Sequence, residues 1–171
     1  YKPDDVVRGL SGKTIEVINT DAEGRVVLSD AIEYANKLKV DEMVDLATLT
    51  GACMVALGNY TAGLFSNNIT LKDKLLKASL MSGEKMWQLP LDEELRSSID
   101  SQVADVKNSA STRYGGAITA AMFLEFFVDK KVPWSHIDIA GPAYIDKDRG
   151  WCAPGSTGFG VRSLINYLNL S

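Results

Sequence analysis

The chain alternates short β-favouring runs with longer segments in which apolar residues return at helical spacing. The pattern predicts strands over residues 15–19, 43–49 and 134–140, and helices over residues 29–39, 71–82, 92–99, 117–128 and 159–168. Ser29 and Thr70 are predicted helix N-caps, and Gly83 is a predicted C-terminal stop. A strand, a helix and a strand follow one another closely over residues 15–49, which is typical of a right-handed crossover in a parallel sheet. We therefore expect one α/β unit.

Three further segments carry specific expectations. Residues 51–65 are small and apolar and predict another strand or a buried turn, whereas the polar residues 100–114 predict a long loop near a site or an interface. The segment 117–128 is apolar on nearly every side, which indicates a buried helix. In the last helix, the residues predicted to face the core are Val161, Leu164, Ile165 and Leu168.

The composition argues against membrane-spanning and nucleic-acid-binding proteins. The 171 residues are 46% hydrophobic and 23% charged, as in an ordinary globular protein. The apolar run at 117–128 is shorter than the ~20 residues that a membrane crossing needs. A net charge of −4 gives no basic surface for nucleic acid or anionic lipid. We therefore expect neither a membrane nor a nucleic-acid partner.

The scarcity of histidine and cysteine excludes several catalytic types. The chain has one histidine, so an H-E-x-x-H zinc site is impossible, and chemistry must rest on carboxylates, lysine or arginine. His136 and Asp138 alternate on a predicted strand; they form either a catalytic pair or, as we favour, part of a core with an internally bonded histidine. Cys53 and Cys152 are far apart and show no C-x-x-C spacing, which argues against disulfides and favours a reducing compartment.

The strongest candidate for chemistry is the segment 19–25, N-T-D-A-E-G-R, which follows a predicted strand. Ligands of α/β proteins bind beyond the carboxyl ends of strands. In an extended chain, Asp21, Glu23 and Arg25 project to the same side and can hold divalent cations and an anion. The alternative is a polar turn in which Asp21 caps a helix and Glu23 pairs with Arg25 at the surface.

This segment resembles the signature of the leucine aminopeptidase, or cytosol aminopeptidase, family. Five other segments resemble the same family in the same order: residues 11–17 (S-G-K-T-I-E-V), 27–31 (V-L-S-D-A), 45–52 (D-L-A-T-L-T-G-A), 137–141 (I-D-I-A-G) and 155–162 (G-S-T-G-F-G-V-R). The resemblance implies a three-layer α/β sandwich with a central mixed, largely parallel sheet flanked by helices, as in zinc peptidases.

The resemblance also implies a two-metal aminopeptidase that releases N-terminal residues, preferably leucine-like, from peptides with a free N-terminus. Asp21 matches a ligand of one metal, and Glu23 matches the carboxylate that bridges both. Arg25 matches the arginine that holds a bicarbonate ion acting as general base. The metals implied are Mn²⁺ or Zn²⁺, with Mg²⁺ as a further option.

Two other segments match substrate-binding positions of the family. Thr48, Leu49 and Gly51 match the strand-end loop that aligns the peptide and lines the pocket for its first residue. Ala140 and Ala143 match pocket positions, and Ala143 replaces a larger residue such as Met in relatives.

The resemblance leaves part of the site outside the chain. The family's other metal ligands, a lysine and two aspartates, and a second catalytic lysine lie upstream of the position matched by Tyr1. The start at Tyr1 instead of Met also indicates a fragment. We expect residues 1–171 to be the C-terminal portion of a catalytic domain, with little activity alone; the N-terminal domain and the upstream part of the catalytic domain are absent.

Relatives are cytoplasmic homo-hexamers, and the resemblance implies the same for this chain. The alternative is a non-catalytic scaffold or DNA-binding accessory protein of the same fold.

Overall fold

The computed structural model describes residues 1–170, and the chain divides into two compact units. The first unit contains Tyr1–Met43 and Pro90–Trp134, and the second contains Val44–Leu89 and the residues from Ser135 onward. The expected α/β fold with sheets flanked by helices is confirmed, and the described residues form sheets of three, four and two strands. No helix among residues 1–170 has the length and apolarity needed to span a membrane.

Strands and helices follow one another along the chain in an irregular alternation. In chain order they are β1 (Val6–Arg8), β2 (Thr14–Glu16), α1 (Glu23–Lys37), β3 (Met43–Ala47), α2 (Gly51–Leu57), β4 (Ala62–Ser66), α3 (Ile69–Ser82), β5 (Met86–Gln88), a 3-10 helix (Glu93–Ile99), β6 (Val106–Lys107), α4 (Gly116–Glu125), β7 (Trp134–Asp138), β8 (Tyr144–Ile145), β9 (Gly155–Ser156) and α5 (Val161–Leu168).

The first unit contains a three-stranded sheet in the order β1-β2-β6. Strand β2 pairs antiparallel with β1 and parallel with β6, where Ile15 lies opposite Val106. Helix α4 packs against α1 and the 3-10 helix. Its residues from Ala120 to Leu124 are fully buried, so the predicted buried helix is confirmed.

Lys13 fixes the end of this buried helix. Its Nζ donates to the main-chain oxygen of Phe126 at 2.8 Å and lies 4.8 Å from the centroid of the Phe126 ring. A cation above an aromatic face is stabilised by the ring quadrupole. Lys13 therefore has a structural role in this unit.

The second unit contains a four-stranded sheet in the order β3-β7-β4-β5 and a hairpin of β8 and β9. Strand β4 is antiparallel to β7 and parallel to β5. Helices α3 and α5 pack together, and the buried core includes Leu64, Leu71, Leu75, Ile137 and Tyr167. Helix α3 ends at Gly83 as predicted, with φ of 73°.

Two helix starts differ from the sequence-based expectation. The N-cap of α3 is Asn68, whose Oδ1 accepts the Leu71 N–H at 2.9 Å, and not Thr70. Helix α1 begins at Glu23, and Ser29 lies inside it, where its hydroxyl donates to the Val26 oxygen. Residues 23–28 contain no strong helix breaker, because a single glycine costs only about 1 kcal/mol relative to alanine.

The predicted crossover needs correction, and the predicted strand at 51–65 is correct only for the end of that segment. Strands β2 and β3 belong to different sheets, so the segment 15–49 does not form a crossover within one sheet. Residues 51–65 form helix α2 followed by β4. Thr50 has extended backbone and its Oγ1 accepts the Cys53 N–H at 2.9 Å, which begins the helix.

The predicted core face of α5 is wrong for three of its four residues, and the fourth, Leu164, is half-buried. Val161, Ile165 and Leu168 are each more than half exposed, whereas Ser163 and Tyr167 are buried. The Ser163 N–H donates to Glu84 Oε2 at 2.8 Å, and its hydroxyl lies 2.8 Å from the Ser82 hydroxyl. These polar contacts and the burial of the large Tyr167 ring set the rotation of the helix, which apolar spacing alone does not capture.

Candidate functional site

The segment 19–25, which we call the motif segment, joins β2 to α1 in the first unit. A fully buried asparagine, Asn108, holds its beginning. Asn108 Oδ1 accepts the N–H groups of Ile18 at 2.8 Å and Asn19 at 3.2 Å, and its Nδ2 donates to the Asn19 oxygen at 2.7 Å. A single amide thus satisfies backbone donors and an acceptor of the same segment.

The turn into α1 is made locally. Asn19 Oδ1 accepts the Asp21 N–H at 2.9 Å, and the Ala22 N–H donates to the Asn19 main-chain oxygen at 3.2 Å. The N-cap of α1 is Ala22, which has no side-chain cap. The alternative in which Asp21 caps the helix is therefore wrong, and Asn19 does the turning.

The expected projection of Asp21, Glu23 and Arg25 from an extended chain is also wrong. Glu23 and Arg25 lie in the first turn of α1, where residues two apart point about 200° from each other around the axis. Arg25 is half-buried, and its Nη1 donates to the Asn108 main-chain oxygen at 2.9 Å. The guanidinium is thus held by the same residue that holds the start of the segment.

The side chains of Asp21 and Glu23 are exposed. Within residues 1–170, neither carboxylate accepts a hydrogen bond or forms an ion pair. The Glu23 charge reaches Tyr1, whose pKa is raised above its ordinary 10.0 first by burial and then by that charge. Both acids are therefore available to a ligand.

These two acids suit a divalent cation in chemical type, because carboxylate oxygens bind Mn²⁺, Mg²⁺ and Zn²⁺. Two carboxylates are, however, fewer ligands than a divalent cation usually takes from a protein. Among the described residues, no group of three or more His, Cys, Asp or Glu side chains is arranged to hold a metal ion. The chain thus offers part of a donor set.

The other predicted site residues lie in the second unit, where β3 and β7 are neighbouring strands. Thr48, Leu49 and Gly51 follow β3, while Ala140 and Ala143 follow β7. Thr48 and Gly51 are exposed, and Leu49 and both alanines are half-buried. The N–H groups of Leu49 and Ala140 both donate to Asp138 Oδ1 at 3.1 Å, so the structure brings the two loops to one carboxylate.

His136 is a core histidine, as we favoured from the sequence. It is fully buried, and its Nδ1 lies 2.5 Å from Asp45 Oδ1 on β3. Its ring stacks on Phe65 with a centroid distance of 6.0 Å. The other interpretation, a catalytic pair with Asp138, is wrong, because Asp138 bonds to the loops instead.

Comparison with known proteins shows which family the chain belongs to. The profile of the cytosol aminopeptidase family, catalytic domain, matches residues 1–165. The chain belongs to this family.

Two curated relatives named "Probable cytosol aminopeptidase" come from Aquifex aeolicus and Persephonella marina. They are 54% identical over 169 residues and 55% identical over 168 residues. Each match covers 98% of this chain and 34% of the relative, so the chain spans about a third of the length of the curated relatives it matches.

Solved structures agree with this assignment. A mutant of tomato leucine aminopeptidase has a TM-score of 0.94 and 46% identity, over 100% of this chain and 33% of that one. The bottromycin maturation enzyme BotP has a TM-score of 0.95 and 45% identity, over 99% of this chain and 38% of that one. The predicted resemblance is confirmed.

In this member of the cytosol aminopeptidase family, two residues have roles that the sequence pattern does not predict. Asn108 lies in the polar stretch that was expected to be a loop near a site, and Asp138 was considered only as a partner of His136. Their polarity was the available signal. Most of the backbone groups that they hold could not be predicted, since Ile18, Asn19 and Leu49 lie about 90 residues away in sequence.

Cys53 lies beside the second unit's loops. Its Sγ is 3.8 Å from the Asp138 main-chain oxygen. Burial, followed by the Asp138 charge, raises the pKa of this thiol to about 12. Cys53 and Cys152 are both free, as expected from their spacing. Because the thiolate is the reactive form, Cys53 is chemically quiet at neutral pH.

Proposed function

We propose that this chain is part of a metal-dependent aminopeptidase that releases N-terminal residues, preferably leucine-like, from peptides with a free N-terminus. The observation that carries the proposal is the state of Asp21 and Glu23. Both acids are exposed, and within residues 1–170 neither carboxylate accepts a hydrogen bond or forms an ion pair, in a segment that a buried Asn108 holds in place. The family match over residues 1–165 supports the same conclusion.

In this proposal Asp21 would hold one of two divalent ions, and Glu23 would contribute to holding both. The ions are Mn²⁺ or Zn²⁺, or Mg²⁺, since all three accept carboxylate oxygens. When bound, they supply Lewis-acid polarisation of the scissile carbonyl and a more acidic water. Asn108 keeps the segment's turn fixed, so the two carboxylates approach the ions in a defined geometry.

Arg25 has a separate role in the proposal. Its planar guanidinium suits a carbonate-like anion, and we assign it a bicarbonate ion as the proton acceptor. The bond from Arg25 Nη1 to the Asn108 oxygen fixes where the guanidinium lies. Asn108 therefore orients the arginine as well as the turn.

The remaining metal ligands, a lysine and two aspartates, are proposed to come from a segment that precedes Tyr1. The isolated chain is then expected to bind metal weakly and to have little peptidase activity.

On the substrate side, we propose that Thr48, Leu49 and Gly51 align the peptide and that Ala140 and Ala143 line the pocket for its first residue. The small Ala143 side chain leaves room there. A homo-hexamer and a cytoplasmic location are part of the same proposal, supported by the family assignment.

The test compares two proteins. One is the 171-residue chain, and the other carries these residues in place of the matching third of the Aquifex aeolicus relative. Both are assayed on leucinamide with Mn²⁺ or Zn²⁺. We expect turnover in the second protein and almost none in the first.

Two results would contradict the proposal. Turnover by the isolated chain near that of the relative would show that upstream ligands are unnecessary. A folded, metal-loaded hybrid without turnover would argue against the peptidase function. A gel-shift assay at moderate salt covers the alternative, in which the chain retards DNA without metal-dependent hydrolysis.

A further inference from the structure

Asp138 ends strand β7 with its side chain 1% exposed. Four donors reach its carboxylate: the N–H groups of Leu49 and Ala140 at 3.1 Å, the Thr50 N–H at 3.4 Å and the Thr50 hydroxyl at 2.7 Å. Among residues 1–170, no lysine, arginine or histidine forms an ion pair with it. Its charge is therefore stabilised by hydrogen bonds alone.

The two oxygens have different partners. Oδ1 accepts the N–H groups from both loops, whereas Oδ2 accepts the Thr50 hydroxyl. The Thr50 oxygen in turn accepts the Cys53 N–H, which connects the carboxylate to the first turn of α2. One buried side chain thus fixes the loop after β3, the loop after β7 and the start of a helix.

The sheet does not depend on this carboxylate. Strand β7 is paired with β4 from Ser135 to Asp138, and the Ile139 N–H donates to the Ala47 oxygen at 2.9 Å. Loss of the Asp138 side chain should consequently leave the strands in place and release the loops beyond their ends. This separation makes a local role testable.

We infer that Asp138 is a positioning residue for substrate recognition, because it sets the spacing between the loop of Thr48–Gly51 and the loop of Ala140–Ala143. This inference rests on the proposed function, in which these loops hold the peptide and its first side chain. If the two loops move apart, the bound peptide is displaced, and a displacement of about 1 Å in a positioning group can cost on the order of 100-fold in rate. The preference among first residues should change for the same reason.

The first test measures amide hydrogen exchange in the 171-residue chain and three variants. Asp138→Asn keeps an acceptor at Oδ1 but loses the charge, and Asp138→Ala removes every contact. The matched control is Ser135→Ala, which removes a buried hydroxyl bond to Ser66 from the same strand. We expect faster exchange at Leu49, Thr50 and Ala140 in both Asp138 variants, with Ile137 still protected and no such change in the control.

The second test measures kinetics in the hybrid enzyme described above. We expect Asp138→Asn to raise KM for leucinamide about tenfold with a smaller change in kcat, and to reduce the preference for leucinamide over glycinamide. Ser135→Ala should leave both quantities near their original values. A purely structural residue would change the melting temperature without changing that preference.

The outcomes separate the inference from the proposed function. Unchanged exchange at Leu49, Thr50 and Ala140 overturns the inference whatever the enzyme does. Faster exchange with unaltered KM and unaltered preference in an active hybrid also overturns it. If the hybrid has no turnover, the proposed function fails, and the exchange data alone decide whether Asp138 positions the loops.

Discussion

The motif segment and the two loops of the second unit are held in the same way by different chemistry. Each region is held by one buried side chain: Asn108 lies about 90 residues from the motif segment, and Asp138 lies about 90 residues from the loop after β3 and two residues from Ala140. The motif segment has both N–H donors and a carbonyl acceptor, and a side-chain amide can bond to both because it has an acceptor oxygen and a donor nitrogen. The loops beyond β3 and β7 offer only donors, which a carboxylate accepts more strongly.

The acids of the two regions also differ. Asp138 is buried and takes four donors, whereas Asp21 and Glu23 are exposed and take none within residues 1–170. A buried carboxylate must be satisfied by the protein, and an exposed one can remain free for a ligand. Burial and partners, more than residue type, thus distinguish a structural acid from a candidate ligand.

The largest expected effect concerns Glu23. In the hybrid enzyme, Glu23→Gln should lower kcat/KM at least about 100-fold, because an amide cannot bridge two cations. In the 171-residue chain it should leave the melting temperature nearly unchanged, since the carboxylate has no partner there. The matched control is Glu94→Gln, an exposed glutamate on the 3-10 helix. Equal activity losses in both variants would contradict the assignment.

Two glycines provide the next comparison. A Cβ on Gly141 would lie 2.2 Å from the Gly58 main-chain oxygen, whereas a Cβ on Gly24 in the motif segment meets nothing within 4 Å. We expect Gly141→Ala to lower the free energy of unfolding by about 3 kcal/mol. Gly24→Ala should raise it by about 0.5–1 kcal/mol. Urea denaturation of the 171-residue chain measures both, and a comparable loss in the two variants would refute the difference.

A substitution at Asn108 tests the need for an amide. Asn108→Asp replaces the donor to the Asn19 oxygen with a second acceptor, so it should cost about 1–3 kcal/mol in unfolding free energy. Asn36→Asp is the matched control, because Asn36 also donates and accepts in the first unit, to and from other groups. Amide exchange at Ile18 and Asn19 should increase only in the Asn108 variant. Equal increases in both would show that Asn108 has no specific hold on the segment.

The smallest expected effect is the pH dependence caused by Cys53. Its pKa is raised from 9.0 to about 12 in the folded chain. Above about pH 9 the unfolded chain loses the thiol proton while the folded chain keeps it, so stability falls as pH rises. We therefore expect the free energy of unfolding of the parent chain minus that of Cys53→Ala to decrease progressively between pH 9 and pH 12. Below pH 8 this difference should be constant.

Urea denaturation at several pH values measures this difference. Cys152→Ala is the control for the loss of a thiol, because Cys152 lies partly exposed in a loop. A difference in unfolding free energy between the parent chain and Cys53→Ala that stays constant from pH 8 to pH 12 would contradict the raised pKa.

Local patterns predicted some elements well. The apolar segment 117–128 became the buried α4, and Gly83 ended α3, because burial on every side and a left-handed residue are properties of the local sequence. The motif segment was found by its own residue types. Its geometry was not predicted, because α1 already begins at Glu23, where the sequence pattern favours an extended chain.

The rotation of α5 shows why such patterns fail elsewhere. Apolar spacing favoured a face containing Val161, Ile165 and Leu168, and the structure buries Ser163 and Tyr167 instead. The partner that fixes Ser163 is Glu84, 79 residues earlier in the chain. Periodicity within eight residues contains no information about a hydrogen bond of that separation.

The sequence by itself therefore determined the family and the α/β class, and it proposed Asp21 and Glu23 as candidate ligands, because these depend on contiguous residues. Tertiary structure alone decided that Asn108 holds the motif segment, that Asp138 joins two loops and that Asp45 pairs with His136. The bonds from Asn108 to Asn19, from Leu49 to Asp138 and between Asp45 and His136 each connect residues about 90 positions apart. They form only when folding brings a buried polar side chain to backbone or side-chain groups that would otherwise lose water without replacement.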